Sequence, residues 1–365
     1  MPKNKIYLID YVGQSNDRGE PVGHSLKTLK ETMELFENSQ KVELIVPQNY
    51  EAELSDRKIT VPFFLKYYSS INITKFSNRM AGLRGKVRNL FQVFKTGKEG
   101  MLWFVHPDFL LFVFLFVYPF RIKNKIVITM YMEGFNPGNT LKERIKNFFF
   151  ERTIKRVYLI IKNSSKIKIS GKEIFCPDYL YKEERYKPFL SKKNDHVLCT
   201  GVMNRAKDIV NLVRAWSGFK NILALKISGF FPDKDLYKEI KKYENHRIEI
   251  NDLYLTKNDY YKNIAGAKFT LLSYKKSKYL RRTSGILLES IFLDTPVIAP
   301  HFLLEYTDLP GIGYDRLEDI ESIISSVDEK EIKELHKRMK QVREAYDFDK
   351  MKQKITAALT ALNRK

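Results

Sequence analysis

The chain has few cysteines, a deficit of acidic residues relative to basic ones, and no hydrophobic run long enough to span a bilayer. Its two cysteines among 365 residues are Cys176 and Cys199. Neither is spaced with a second cysteine or a histidine in the way that zinc ligands are. A disulfide framework and a structural zinc site are therefore not expected, and the composition fits a reducing compartment.

The most apolar segment, residues 109–120, is too short for a transmembrane helix. Asp108 and Arg121 flank it, whereas a spanning helix needs about 20 apolar residues. We predict a buried helix of an α/β core, with a membrane-dipping segment as the alternative. The first ten residues form a strand-like run without the charged and apolar segments of a secretory signal, which favours a cytoplasmic location.

Basic residues outnumber acidic ones by 64 to 43, which gives a formal net charge of +21. This excess predicts attraction to a polyanion: nucleic acid, an anionic membrane surface or a phosphorylated small molecule. Hydrophobic residues make up 44% of the chain, as in an ordinary globular enzyme, and the length favours two domains.

Short β-branched runs alternate with helical patterns, which is typical of parallel sheets built from βαβ units. Helices are predicted at residues 24–36 and 141–161. Strands are predicted at residues 5–10, 42–47, 71–76, 101–106, 125–131, 166–170, 196–201, 221–229, 247–251, 268–274 and 296–300.

The polar, aperiodic residues 185–195 predict a linker. We therefore expect doubly wound domains over residues 1–184 and 196–345, with a ligand site between them. A C-terminal helix over residues 346–365 would either cap the second domain or pack back on the first.

The strongest functional pattern lies in residues 268–300, where a strand, a basic loop, a helix and a second strand follow one another. Ser284 and Gly285 at the helix start would present backbone N–H groups and the positive end of the helix dipole to a phosphate. Glu289, about one turn later, could accept both hydroxyls of a ribose. Taken alone, the pattern favours a helix N-cap at Thr283 or Ser284 and a solvated Glu289.

With the strand that follows it, this segment resembles the nucleotide-sugar site of the GT-B glycosyltransferases, in particular glycosyltransferase family 4. The chain matches that family at residues 284–285, at Glu289 and at the Pro-Val-Ile-Ala of residues 296–299. It departs at Arg281, where the family has an acid that contacts the transferred sugar, and at Asp294, where the family has glycine. The resemblance implies an α/β protein with two doubly wound Rossmann-like domains facing across a cleft.

A second match lies at the start of the second domain. Gly201 and Lys207 fall on the family's pattern, whereas Val202 and Asp208 replace its arginine and second glycine. Arg205 could supply the missing cation. A cation here would neutralise the diphosphate as it leaves, which is the main catalytic task when no metal is bound. The alternative is that Lys207 is an ordinary surface residue.

The resemblance also assigns residues of the first domain to the acceptor side. Gly23 and His24 correspond to a glycine-containing loop, and His106 corresponds to a turn that faces the cleft. The family's catalytic histidine falls at about Tyr131, so Glu133 is the nearest candidate base, with a structural loop acid as the alternative.

The sites implied by the resemblance are as follows. The catalytic candidates are Glu133, His106 and Lys207. The nucleotide-sugar site would comprise Gly201, Arg205, Lys207, Tyr254, Arg281, Arg282, Thr283, Ser284, Gly285 and Glu289, with Tyr254 stacking on the base.

Two Asp-x-Asp strings, at residues 233–235 and 347–349, lie where helices would start, and aspartate is a preferred N-cap. We therefore predict no metal requirement, and no cofactor beyond the nucleoside-diphosphate sugar itself.

Residues 75–99 and 141–169 combine basic and apolar residues in a pattern suited to an anionic membrane surface, with a solvated face as the alternative. No aromatic strand platform or helical reader for nucleic acid is apparent.

The resemblance therefore implies a metal-independent, retaining hexosyltransferase of capsule, O-antigen or other cell-surface glycan assembly. Its acceptor would be lipid-linked or a polysaccharide, at the inner face of the cell membrane. The alternatives are a GT-B-like nucleotide-sugar epimerase and a non-catalytic basic binding protein.

Overall fold

The structure is a computed structural model that divides into two compact units. Unit 1 contains the described residues within Met1–Lys162, Ile167–Asp178 and Lys352–Lys365, and unit 2 contains those within Tyr179–Met351. The residues described are 5–15, 24–36, 42–54, 60–66, 69–70, 76–96, 100–118, 124–131, 140–162, 172–220, 222–280 and 282–364.

Unit 1 is built on a seven-stranded parallel sheet in the order β4-β3-β1-β6-β7-β8-β9. Its strands are β1 Ile6–Ile9, β3 Val42–Pro47, β4 Thr60–Leu65, β6 Met101–Phe104, β7 Ile126–Met130, β8 Tyr158–Ile161 and β9 Glu173–Phe175, and β2 Gln14–Ser15 pairs separately with β5 Ser69–Ser70. Its helices are α1 His24–Glu34, α2 Glu51–Leu54, α3 Phe76–Thr96, α4 Phe109–Val117 and α5 Leu141–Ile154.

Helix α4 confirms the prediction of a buried helix. The Asp108 side chain caps it by accepting a hydrogen bond from the Leu110 N–H, at 3.0 Å. Its buried residues Leu111, Phe112 and Leu115 join the hydrophobic core of unit 1. In the described part of the chain, no helix combines the length and the apolar character needed to cross a bilayer.

Unit 2 contains a six-stranded parallel sheet in the order β12-β11-β10-β13-β14-β15. Its strands are β10 Asn194–Thr200, β11 Ala224–Gly229, β12 Ile248–Asp252, β13 Ala267–Leu271, β14 Val297–Pro300 and β15 Ile312–Tyr314. The helices are α6 Glu183–Tyr186, α7 Ile209–Gly218, α8 Lys234–Lys241, α9 Lys257–Gly266, α10 Lys276–Tyr279, α11 Gly285–Phe292, α12 His301–Thr307, α13 Ile320–Ser326, α14 Glu329–Ala345 and α15 Phe348–Arg364, whose last residues belong to unit 1.

Both sheets are doubly wound, as predicted. The chain moves outward in one direction from β1 and from β10, and then returns to the other side of the same strand at β6 and at β13. Each reversal creates a switch point where the loops after two neighbouring strands diverge. Ligands of open α/β sheets bind at this place, outside the carboxyl ends of the strands.

Several element boundaries differ from the predicted ones. The helix predicted at residues 141–161 ends at Ile154, and residues 158–161 form β8 between β7 and β9. The strand was merged with the helix because a short buried apolar run has no periodicity that separates strand from helix. Phe76 begins α3 instead of ending a strand. The strand predictions at residues 71–75 and 166–170 lie outside the described residues.

The segment predicted as a linker begins with ordered structure. Residues 183–186 form α6 and residues 187–189 form a 3-10 helix. Tyr186 is buried and lies 5.2 Å from the ring of Phe292 and 5.4 Å from that of Tyr261, measured between centroids. This burial, which a polar local sequence does not indicate, orders the segment against unit 2. The boundary between the units lies before it, at Asp178 and Tyr179.

Candidate functional site

A buried lysine lies at the switch point between β10 and β13. Lys207 is 5% exposed, and its Nζ donates a hydrogen bond of 2.8 Å to the carbonyl oxygen of Thr200, the last residue of β10. Its Nζ also lies 5.9 Å from the centroid of the Tyr274 ring. Burial lowers the pKa of Lys207. Among the described residues, no carboxylate pairs with the Lys207 ammonium group. An anionic ligand would therefore supply the counter-charge that this group lacks.

The backbone holds Lys207 in this position. Its N–H donates to the Asn204 carbonyl oxygen at 3.0 Å, and the Lys275 N–H donates to the Ala206 carbonyl oxygen at 3.1 Å. Lys207 and Tyr274 also form an antiparallel bridge. The loop after β10 is therefore tied to the loop after β13, and the lysine is not an ordinary surface residue.

Gly201 lies directly beside the lysine at the end of β10. Its φ is +90°, a conformation that favours glycine, and a Cβ on it would lie 3.5 Å from Lys207 Nζ and 3.0 Å from Ile286 Cδ1. Ile286 belongs to the first turn of α11. The end of β10, the lysine and the start of α11 therefore come together.

The start of α11 is enclosed by tyrosines. Ser284 is 4% exposed, and its hydroxyl shares a hydrogen bond of 2.8 Å with the Tyr274 hydroxyl instead of capping the helix. Gly285 lies against the Tyr179 ring, since a Cβ on it would be 2.7 Å from that ring. Thr283 is half-buried. Ser284 therefore occupies the N-cap position of α11, but its side chain does not cap the helix.

Glu289 is also not a solvated helix residue. It is 8% exposed, and its Oε2 accepts a hydrogen bond of 2.7 Å from the Tyr260 hydroxyl, which is contributed by α9. Burial, with the nearby Glu289 carboxylate, holds the pKa of Tyr260 well above its usual value. The tyrosine therefore remains a hydrogen-bond donor that orients the carboxylate.

The arginines predicted for the site differ in their surroundings. Arg205 is on the surface and pairs with Asp233 at 2.8 Å and with Glu239 at 3.3 Å. Because two carboxylates already match its charge, its predicted role at a diphosphate has no support from these contacts. Arg282 is exposed, with its guanidinium 5.8 Å from the Tyr279 ring centroid. Arg281 lies outside the described residues.

An exposed apolar surface continues along the carboxyl ends of β10, β11 and β12. Tyr254 is 87% exposed, and its ring centroid lies 6.0 Å from that of Phe230, in an edge-to-face arrangement. Val202 and Leu253 are 53% and 50% exposed. Of these residues the sequence analysis predicted only Tyr254. The others share a usable signal, which is an apolar side chain within two residues of the end of a strand.

At the switch point of unit 1, the buried Asp10 and the half-buried Asp108 organise the loops. Asp10 accepts hydrogen bonds from the Val12 N–H, at 3.0 Å, and from the Tyr50 hydroxyl, at 2.7 Å. Asp108 accepts one from the Tyr11 hydroxyl and forms an ion pair with a lysine of α3.

His106 is half-buried just after β6 in this unit. His24 is the first residue of α1, but its side chain lies outside the described residues, as do Gly23 and Glu133. The acceptor-side predictions for these residues stay predictions.

A second polar cluster in unit 1 was not predicted. The Tyr131 hydroxyl lies 3.3 Å from Thr28 Oγ1 and also interacts with Asp178. Lys162 is buried, and its Nζ donates to the Pro177 carbonyl oxygen at 3.2 Å. These residues follow β7, β8 and β9, so the carboxyl edge of unit 1 presents polar side chains far apart in sequence.

A pocket of about 660 Å³ lies in unit 2, and Tyr274 forms part of its lining. Its lining includes a contact between His301 and Asp315, with 3.0 Å between Nδ1 and Oδ1. The lining mixes arginines and lysines with four acidic residues, and it contains none of the predicted site residues. Its balanced charge does not indicate a particular ligand.

The aspartate strings serve helix starts where the structure describes them. Asp233 accepts hydrogen bonds from the N–H groups of Asp235 and Leu236 at the start of α8, and Asp347 accepts one from the Lys350 N–H at 3.1 Å. Among the described residues, no group of three or more histidine, cysteine or acidic side chains is arranged to hold a metal ion.

Comparisons with known proteins show the fold. No family model matches the chain, and no curated protein matches it in sequence. Anabaena HepE in complex with UDP superposes with a TM-score of 0.70 at 12% identity, over 98% of this chain and 100% of that one. The lipopolysaccharide outer core galactosyltransferase WaaB gives a TM-score of 0.63 at 14% identity, over 98% and 99%.

The N-terminal domain of the Candida albicans trehalose-6-phosphate phosphatase gives a TM-score of 0.66 at 9% identity, over 99% of this chain and 97% of that one. At such identities the likeness establishes the architecture alone. The chain has the GT-B fold that the sequence pattern predicted.

Proposed function

We propose that the chain is a glycosyltransferase that uses a nucleoside-diphosphate sugar bound to unit 2. The observation that carries the proposal is Lys207, a buried cation at the β10/β13 switch point that pairs with no carboxylate among the described residues. Solved structures of the same fold include HepE with UDP and with UDP-glucose. The position and the missing counter-charge both favour a diphosphate.

The donor would be held by groups of different chemistry. Backbone N–H groups at Gly201 and at the start of α11 would face the phosphates, with Lys207 as the cation. Glu289, oriented by Tyr260, would accept the ribose hydroxyls. The exposed ring of Tyr254 would stack on the base.

In the transfer step, negative charge develops on the diphosphate as the bond to the sugar breaks. Lys207 would stabilise that charge in a buried site, where electrostatic interactions are stronger than in water. This chemistry requires no metal ion or further cofactor. We propose retention of configuration and transfer of a hexose from the family resemblance alone.

The acceptor would enter from unit 1, near His106 and Glu133. We propose a lipid-linked or glycan acceptor in cell-surface polysaccharide assembly, at the cytoplasmic side of an anionic membrane. WaaB, whose name states a lipopolysaccharide core substrate, has the same fold. The two free, buried cysteines are compatible with a reducing compartment.

The decisive measurement is a thermal-shift panel with UDP, GDP, CMP and dTDP sugars. A ligand at roughly 100 times its Kd stabilises the folded state by about 2.7 kcal/mol. We expect one nucleotide class to raise the Tm. Glu289→Gln should weaken that nucleotide about tenfold or more, because it removes the charged acceptor of the ribose hydroxyls.

The matched control is Glu334→Gln, a carboxylate on α14 that is 61% exposed. It should respond to nucleotide as the parent chain does. If no nucleotide raises the Tm, or if Glu289→Gln responds like Glu334→Gln, the donor site is wrongly assigned.

A further inference from the structure

Most exposed apolar side chains of unit 1 lie on three consecutive helices. Fourteen large apolar side chains are exposed among the described residues, four of them at the donor site and eight on α3, α4 and α5. We name these eight the docking face. They are Met80, Leu83, Phe91, Phe116, Val117, Leu141, Ile145 and Phe148.

The three helices form one continuous layer. Successive crossovers through α3, α4 and α5 all step in the same direction along the sheet, and right-handed crossovers place such helices on the same side. The Phe91 ring lies 5.0 Å from that of Phe114 on α4, and the Phe116 ring lies 5.7 Å from that of Phe148 on α5, between centroids. Helix α4 is therefore bracketed by the other two, and the exposed rings form one surface.

Helical spacing explains the exposure along α5. Leu141, Ile145 and Phe148 follow one another at intervals of four and three residues, so they share one side of the helix. They are 74%, 46% and 42% exposed. The opposite side supplies Phe150 and Ile154 to the core. The exposed side is thus a second apolar stripe, which remains largely open to solvent.

Cations surround the apolar stripes. Helix α3 contains no acidic residue in its 21 positions, and Arg84 and Lys95 on it are exposed. On α5, Lys142 and Arg144 are exposed, and the Arg152 guanidinium lies 3.8 Å from the centroid of the Phe148 ring. The face therefore offers apolar side chains for insertion and positive charge for an anionic partner.

Exposed apolar side chains together with cations favour one class of partner over the others. A second copy of the chain would bring like charges together across the interface. Nucleic acid would use the cations but would leave the aliphatic stripes exposed to water. A bilayer with anionic lipids satisfies both, because Phe and Leu enter the interfacial region while Arg and Lys remain at the headgroups.

We propose that the docking face lies on the surface of an anionic bilayer, with Val117 and Leu141 among the side chains that insert. Only the purpose of this membrane contact, which is to bring the enzyme to a membrane-held acceptor, rests on the proposed function. Membrane contact itself does not require catalysis.

The test is flotation of the full chain with vesicles of phosphatidylcholine alone and of phosphatidylcholine containing one third phosphatidylglycerol. We expect binding to the anionic vesicles that weakens as salt screens the cations. Val117→Ser with Leu141→Ser should lower the partition coefficient about tenfold or more, since two apolar side chains no longer insert. Lys142→Glu with Arg144→Glu should lower it by a similar factor.

The control variants make the same kinds of substitution outside the docking face. Leu190→Ser replaces an apolar side chain that is 49% exposed in unit 2, and Lys330→Glu with Lys333→Glu reverses two exposed charges on α14. Both should float like the parent chain. Nucleotide-induced stabilisation should remain in every variant, which separates failure of the docking face from failure of the donor site.

Equal binding to neutral and anionic vesicles would overturn the proposal, as would parental binding by the Val117→Ser, Leu141→Ser variant. A dimer in solution that the same variant abolishes would show that the face pairs with a second copy instead.

Discussion

At the scale of single residues, Asp294 has a left-handed backbone at a position where the resembling family has glycine. Its φ is +55°, in the left-handed region that glycine adopts freely and aspartate tolerates. Its Oδ1 accepts hydrogen bonds from Arg343 at 2.8 Å and from His336 at 3.0 Å. Although burial opposes this, the two partners hold the pKa of Asp294 below its usual value. The substitution adds an anchor between the end of α11 and α14.

We expect Asp294→Gly to be more stable than Asp294→Ala by about 1 kcal/mol, because both lose the anchor but only alanine is strained in the left-handed region. Denaturant unfolding of both variants and the parent measures the difference. Greater stability of the alanine variant would contradict the backbone argument.

Lys207 makes the proposed nucleotide affinity dependent on pH. Burial lowers its pKa below the 10.5 of an ordinary lysine. Since the protonated form would bind the diphosphate, affinity for the preferred nucleotide should fall by about tenfold per pH unit above that lowered pKa. Without ligand, the free energy of unfolding depends on pH in the opposite direction. The unfolded chain binds the Lys207 proton more tightly than the folded one, so the stability contributed by this group rises with pH above the lowered pKa.

Calorimetric titration of the nucleotide between neutral and alkaline pH tests this expectation. Lys207→Met should bind weakly at every pH, whereas Lys238→Met, on the surface of α8 and 78% exposed, should keep the parental profile. Affinity that is independent of pH up to the ordinary lysine range would contradict the assignment of Lys207.

At the scale of elements, the carboxyl ends of β10 and β11 approach so closely that only glycine fits at Gly229. A Cβ there would lie 2.0 Å from the carbonyl oxygen of Gly201. Because that contact is with backbone, it cannot be relieved by a side-chain rotation. The packing of two strand ends therefore sets the position of the Gly201 loop next to Lys207.

We expect Gly229→Ala to lower the free energy of unfolding by about 1–3 kcal/mol through overpacking and to weaken nucleotide binding. Gly218→Ala, at the end of α7, is the matched control, since a Cβ there meets no atom within 4 Å. It should leave binding intact and stabilise the chain slightly. Thermal unfolding with and without nucleotide measures both effects, and identical behaviour of the two variants would refute the close-approach argument.

At the scale of the whole molecule, the exposed apolar side chains concentrate in two places with different chemistry. One lies at the carboxyl ends of the unit 2 strands, and the other covers three helices of unit 1. The net charge of +21 suits both a phosphorylated donor and an anionic surface. The fold by itself identifies neither the donor nor a membrane partner, because a domain of a trehalose-6-phosphate phosphatase has the same fold. The side chains around Lys207 therefore carry the functional assignment.

Local sequence patterns were sufficient to predict the α/β class, the two doubly wound sheets and the helix start at Ser284 and Gly285. These features depend on periodicity and on backbone conformation within a few residues, so they can be recognised in the linear chain. Short strands without periodicity, such as β8 and β15, were missed or merged with a neighbouring helix.

The sequence by itself therefore determined which residues could form the donor site, including Gly201, Lys207 and Glu289. Only the tertiary structure decided that Lys207 is buried and that Tyr260 holds Glu289. It also decided that Arg205 pairs with carboxylates on a neighbouring helix. The physical reason is that a side chain's burial and partners depend on which faces of distant elements meet, and that packing is not written in the spacing of neighbouring residues.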